Sequence, residues 1–330
     1  IITLFTINSL KFWMIDKAYI ILYDGTNCVI IFHGPGVRPR PLRECYSMKK
    51  LFYGLAGLIV LAGVFLVSLP TILHKAGLHP EYNGPTTTLP GKRALIITTS
   101  HDVLAAPGET EGPATGVMAS EFTHPYYTFL DGGMEVDIAS IQGGEIPIDP
   151  QTLRFMIRSP EDDRYLNDAI AQAKVKNSIP IAEVDIDQYD IVFISGGWGA
   201  AYDLAQSPEL AAKVSESYYG DNSAMICGLC HGVLGLVNAS ERDGELLIAG
   251  RRMTGVTDKQ IKELGIEMTP LHPETELRKA GVVFESQTAF RDFFATHVTA
   301  DDEQRFVTGQ NQNSGLETAH TMMLIQSERD

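Results

Sequence analysis

The chain is short of basic residues: 26 Lys+Arg stand against 41 Asp+Glu, a formal net charge of −15 over 330 residues. So acidic a surface repels phosphate backbones, which excludes nucleic acid as a partner. Cysteine is scarce too, four in all, too few for a disulfide framework at this length. No internal repeat is present, and 44% apolar with 20% charged residues is a globular balance that excludes disorder and coiled coil. The length suits one large domain or two small ones. The charge is unevenly placed, because eight basic and three acidic residues precede position 76 and the remainder carries −20.

The first quarter of the chain holds an apolar run. Leu51–Leu69 is 19 residues without a charge, and as a helix it would span roughly 28 Å, close to a bilayer's hydrocarbon thickness. It begins after Met48-Lys49-Lys50 and stops at Pro70. A secretory signal has a shorter apolar region, about 7–15 residues, with a small-x-small cleavage site, so an uncleaved anchor is the preferred reading over a cleaved signal. A helix apolar all round and near the terminus also argues against a buried core helix. Lys49 and Lys50 ahead of the span keep the short N-terminus cytoplasmic and export the acidic bulk to an extracytoplasmic space such as a periplasm. Residues 1–47, which start with Ile and include Cys28 and Cys45, are expected to be a non-native extension upstream of a start at Met48. Residues 48–70 are then the anchor or signal. Residues 71–91, rich in Pro, Gly and Thr, read as a linker that tethers rather than packs.

From residue 92 to 330 short apolar strands alternate with helical stretches, the pattern of a mostly parallel sheet covered on both faces. Strands are expected at Ala94–Thr98, Glu135–Ser140, Asp190–Ser195 and Ser223–Leu229, with shorter ones at 246–248, 252–254, 282–284, 298–299 and 306–308. Helices are expected within 115–132 and at Pro208–Tyr219, 259–264, 273–280 and 314–326. A charged, mainly helical insertion near 151–179 separates two strands and is a candidate lid.

The sequence CGLCHG, residues 227–232, follows an apolar strand and opens a helix through Val237. A cysteine at such a junction is held out of the backbone over free helix N–H groups, which favours thiolate over thiol. Cys230 with His231 beside it fits a nucleophile, and Gly232 allows a tight turn. Cys227, inside the strand, fits an inert core thiol. A redox CxxC is disfavoured, since three extended residues separate the Cα atoms by roughly 10 Å, beyond disulfide reach. The same strand geometry makes zinc ligands diverge. The CxxCH pattern of haem attachment conflicts with the apolar strand before it and the glycine-rich start after it. No metal and no cofactor is called for.

In order and spacing, SEFTHPYYTFLDGGMEVDIAS, IQGGEIPIDP, YDIVFISGGWGAAYDL, ICGLCHG and FVTGQNQNS resemble the DJ-1/PfpI superfamily, and within it the Hsp31-like, glutamine amidotransferase-like branch. The resemblance runs from Lys92 to the C-terminus. It implies a flavodoxin-like α/β sandwich, here preceded by an N-terminal transmembrane helix. It also implies Cys230 as nucleophile and Glu121, on a helix, as a protonated carboxyl that donates to the sulfur and later moves protons. The Gly196-Gly197-x-Gly199 turn matches the loop that offers backbone N–H to a substrate oxygen, with the His231 amide as partner. One departure concerns the acid that orients His231: where the branch has a glutamate, this chain has Gln260, which leaves Asp258 as the candidate.

Three functions follow as expectations. The first is a cofactor-free, glyoxalase III-type conversion of methylglyoxal or a related 2-oxoaldehyde to a 2-hydroxy acid. In it Cys230 forms a hemithioacetal and Glu121 shuttles a proton through an enediol. The second is glutamine amide hydrolysis, suggested by the branch label and by His272-Pro273-Glu274, although that triplet opens a probable helix only 42 residues after Cys230. The third is a stress holdase or redox sensor without turnover, the sensor resting on a low-pKa, exposed thiolate open to over-oxidation. A homodimer is expected by the same resemblance.

Overall fold

The computed structural model describes residues 43–329 continuously, with side chains from Phe52 onward, and four segments ahead of them. Cys28 and the side chain of Cys45 lie outside the described residues. The chain divides into two compact units, Ile1–Leu69 and Pro70–Asp330.

In the first unit β1 (Thr3–Ile7), β2 (Leu10–Ile15), β3 (Ala18–Tyr23) and β4 (Val29–His33) pair antiparallel in sequence order. Helix α1 (Arg43–Lys75) follows. Within it Phe52–Lys75, 24 residues of mean hydropathy 2.4, is long and apolar enough to cross a membrane by length and composition. The helix does not stop at Pro70 as the sequence reading expected. Pro70 lacks the N–H that would bond four residues back, yet the helix runs on past it to Lys75.

The second unit is built on a seven-stranded sheet. Its strands in chain order are β5 (Arg93–Thr98), β6 (Glu135–Ser140), β7 (Ile179–Pro180), β8 (Ile191–Ile194), β9 (Met225–Leu229), β12 (Val298–Ala300) and β13 (Phe306–Gly309), arranged β12-β13-β9-β8-β5-β6-β7. All neighbours are parallel except β12 on β13. A small parallel pair, β10 (Arg252–Met253) and β11 (Val283–Phe284), lies outside this sheet. Helices α2 (Ala119–Asp131), α3 (Pro160–Tyr165), α4 (Ala169–Lys176), α5 (Ala200–Asp203), α6 (Pro208–Tyr219), α7 (Asp258–Leu264), α8 (Pro273–Lys279) and α9 (Gly315–Arg329) complete it. The central strands read as unbroken apolar runs because both faces are covered. Ala94, Ile96, Ile191, Phe193, Met225 and Cys227 enter one core, and Leu95, Ile97, Val192, Ile194 and Ile226 the other. The α/β sandwich with a mostly parallel sheet is therefore as expected from the strand and helix pattern.

Residues 246–248, read as a strand, make one isolated bridge at Leu246 and then turn, and two longer segments also differ from expectation. The stretch read as a tether is docked at both ends: Leu78, His79 and Leu89 are buried. The His79 amide donates to Asn313 Oδ1 at 2.9 Å, and Asn313 Nδ2 donates to the Gly77 carbonyl at 2.7 Å. The insertion is pinned rather than standing free as a lid. Ser159 and Asp162 close a capping box at the start of α3, Thr123 Oγ1 of α2 donates to Asp162 at 2.6 Å, and Phe122 packs edge-on against Tyr165.

Candidate active site

Strand β9 ends with Leu229 still extended, and the next residue, Cys230, has φ +57°. A non-glycine residue in this left-handed region costs about 1–2 kcal/mol. The chain then turns straight into a tight 3-10 run, Cys230–Leu236, rather than an α-helix. This abrupt junction, at the carboxyl end of the parallel strands, is where the sequence reading placed the nucleophile. Gly232 is required because a Cβ there would sit 2.1 Å from the Ile194 carbonyl oxygen at the end of β8. Cys227 faces the core from β9 and is fully buried, and both it and Cys230 are free thiols.

Glu121 projects from the first turn of α2 and is fully buried. Its carboxyl touches the Cys230 sulfur and the Gly196 amide, and a Cβ on Gly196 would lie 2.6 Å from Oε2. Neither carboxyl oxygen has a hydrogen bond of ordinary geometry, so the contact is close without being aligned. Burial dominates the electrostatics: desolvation pushes Glu121 up to about 8, against the smaller pull of Cys230 and Gly196. The carboxyl is therefore protonated at neutral pH.

Burial also pushes the Cys230 thiol up, and a charged Glu121 would push it further, while the His231 and Gly197 amides pull it down. The expected thiolate from a helix terminus alone is not what this site provides. Cys230 is also only 6% exposed, which removes the exposed thiolate on which the redox-sensor reading rested. Instead, burial holds both groups protonated, and once the pair has lost one proton the two share the other. The sulfur can carry charge only when Glu121 holds the proton.

The glycine turn divides its work. The Gly197 and His231 amides lie near enough to Cys230 to favour its charged form. Gly197 has φ +100°, and a Cβ there would lie 2.3 Å from the Met118 nitrogen, so no other residue fits. The Gly196 amide serves Glu121 instead. Gly199 is excluded as a donor because its N–H is bound to the Gly116 carbonyl at 3.2 Å.

His231 is buried with Nδ1 3.5 Å from Cys230 Sγ. Burial first, and His272 second, hold its pKa down at about 3, so the ring is neutral. Its Nε2 has no hydrogen-bond partner. Asp258 is therefore not the orienting acid. It is exposed at the start of α7, where its carboxylate accepts from Thr275 Oγ1 at 2.9 Å, and the helix cap is Thr257, which accepts from the Gln260 amide. Gln260 is turned to Asn311, whose Nδ2 donates to its Oε1 at 3.1 Å. His272 lies near enough to His231 to act on its charge. Glu274 nevertheless accepts from the Asp258 amide and from Arg278, so no His–Glu dyad forms.

Two residues escaped the sequence reading. Pro125 stands four positions after Glu121 and has no N–H, which leaves the Glu121 carbonyl without its helical partner. Ser195 Oγ, just past the end of β8, donates to that carbonyl at 2.9 Å. The proline at this spacing was the available signal.

Residues 113–292 match the DJ-1/PfpI family. Glutathione-independent glyoxalase HSP31 of Saccharomyces cerevisiae is 31% identical over 188 residues, 54% of this chain and 73% of the relative. Glyoxalase 3 of Candida albicans is 27% identical over 225 residues, 65% of this chain and 91% of the relative. Among solved structures, Rapid Encystment Protein 24 kDa of Francisella tularensis superposes with a TM-score of 0.64 at 31% identity, covering 71% of this chain and 99% of that one. Glyoxalase III of Candida albicans superposes with a TM-score of 0.63 at 25% identity, covering 71% and 96%. With a family match over more than half of its length and relatives of this kind, the chain belongs to the DJ-1/PfpI family, in its Hsp31-like branch of enzymes.

Proposed function

We propose that the chain is a glutathione-independent glyoxalase that converts methylglyoxal or a related 2-oxoaldehyde to the 2-hydroxy acid. The observation that carries this reading is the fully buried Glu121 carboxyl against the elbow cysteine. In the reactive form the pair has released one proton to solvent and Glu121 holds the other. The Cys230 sulfur adds to the aldehyde carbon, and the oxygen, taking up charge between the Gly197 and His231 amides, takes that proton from Glu121 to give a hemithioacetal. Glu121, then ionised, removes the proton on that carbon to form an enediol and returns it to the neighbouring carbon. The product is a thioester of the 2-hydroxy acid. Water adds to it, the acid leaves and the thiol is restored, so the net change is an internal redox shift plus one water. His231, whose lowered pKa makes its ring a weak base, offers its main-chain N–H instead of moving protons.

The relatives named as glyoxalases support this substrate class. Lactate appearing from methylglyoxal without glutathione is the expected result, and a purified chain that forms none would refute the reading. We further propose that Phe52–Lys75 anchors the chain and that the acidic domain lies on the exported side. The residues supporting this are Lys49 and Lys50 ahead of the span and the apolar span itself.

A further inference from the structure

We propose that Ser195 is a positioning residue for Glu121, and that it acts as one unit with Pro125. The carbonyl of Glu121 would ordinarily accept from the N–H of residue 125, and Pro125 removes that donor. A buried carbonyl without a partner is unfavourable, and Ser195 Oγ supplies the bond from outside the helix at 2.9 Å.

Ser195 is fit to act as a fixed post. Its side chain is fully buried, and its own amide donates to the Ile97 carbonyl at 2.9 Å, which ties it to β5, the neighbour of the central strand β8. The next residue, Gly196, turns its amide to the Glu121 carboxyl. Two consecutive residues therefore meet Glu121, the Ser195 hydroxyl bonded to its main-chain oxygen and the Gly196 backbone packed against its carboxyl. The residue after them, Gly197, places its amide on Cys230. One short loop thus registers the glutamate against the sulfur. A helix bonded normally at this point would have no link from the Glu121 backbone to the strand end.

This inference rests on Glu121 and Cys230 working as a pair, and its test does not require the glyoxalase reading. The full chain is alkylated with iodoacetamide across pH, with modification of Cys230 followed by fragment-ion masses that separate it from Cys227 on the same tryptic peptide. Wild type, Glu121→Gln, Ser195→Ala, Ser195→Thr and the double variant Ser195→Ala/Pro125→Ala are compared, and melting temperatures are recorded. The pH profile of Ser195→Ala should move toward that of Glu121→Gln. Ser195→Thr, which keeps the hydroxyl, should stay near wild type. The double variant, in which an N–H at position 125 again meets the Glu121 carbonyl, should recover most of the wild-type profile. If methylglyoxal is turned over, Ser195→Ala should lower kcat by about tenfold with little change in KM. A Ser195→Ala profile that overlays the wild type would overturn the proposal. So would a double variant no better than the single one at equal melting temperature. Absence of turnover in the wild type would refute the glyoxalase reading alone, because the alkylation profiles still decide this one.

Discussion

Glu121 is held in a state that opposes folding above the ordinary carboxyl pKa. Its folded pKa of about 8 lies above the ordinary carboxyl value of 4.5. Between those values the folded chain keeps a proton that the unfolded chain has lost, so stability falls as pH rises through this window, by up to about 1.4 kcal/mol per unit. Glu121→Gln, neutral at every pH, should therefore be more stable than wild type at pH 8 and close to it at pH 4. Calorimetric scans at the two values check this, and a gap that does not widen with pH would place the carboxyl in water. The same proton should give wild-type kcat/KM a limb that falls as pH rises through about 8. Gly197→Ala meets a different obstacle, with φ +100° and a Met118 nitrogen 2.3 Å from the new Cβ. Displacing that amide should cost about 100-fold or more in kcat/KM, the scale of losing one oxyanion donor. Steady-state rates on a variant shown to be folded by circular dichroism decide it.

Elements set by local pattern were legible in the sequence. The strand Glu135–Ser140 and the helix Pro208–Tyr219, with Ser207 as its cap and Pro208 in the first turn, need only their own apolar spacing and end signals. Cys230 was legible because a strand and a glycine meet there, and Glu121 because the resemblance supplied it. What escaped depended on partners far away in the chain. The 71–91 stretch looks polar and flexible on composition, and only Asn313, 234 residues on, shows where His79 is clamped. Asp258 looked available as a third acid until Thr257 took the cap and Thr275 took its carboxylate. Gln260 in place of glutamate was a true signal that His231 lacks an acid. Asn313→Ala should free the clamp at a cost of about 1–3 kcal/mol, and limited proteolysis should then cut faster between Gly77 and Gly91. Unchanged cleavage would mean that Leu78 and Leu89 alone hold the segment.

At the scale of the whole molecule, the net charge of −15 is a sum over unlike parts. The acidic excess belongs to the unit that holds the site, whereas the apolar surface belongs to α1, whose span side chains such as Phe52, Leu61 and Val67 are largely exposed. A chain beginning at Pro70 keeps both cores and every residue of the site. It should therefore stay in solution and keep its activity, while the full chain should float with phosphatidylcholine vesicles and resist carbonate extraction. Carbonate release of the full chain would remove the anchor from the account and leave the chemistry untouched. That chemistry is tested most directly by lactate formation from methylglyoxal in glutathione-free buffer, comparing wild type with Cys230→Ala and Glu121→Gln. The account predicts lactate from the wild type, none from Cys230→Ala, and a loss of about 100-fold or more for Glu121→Gln. Undiminished lactate from either variant would contradict the shared-proton pair on which the mechanism stands.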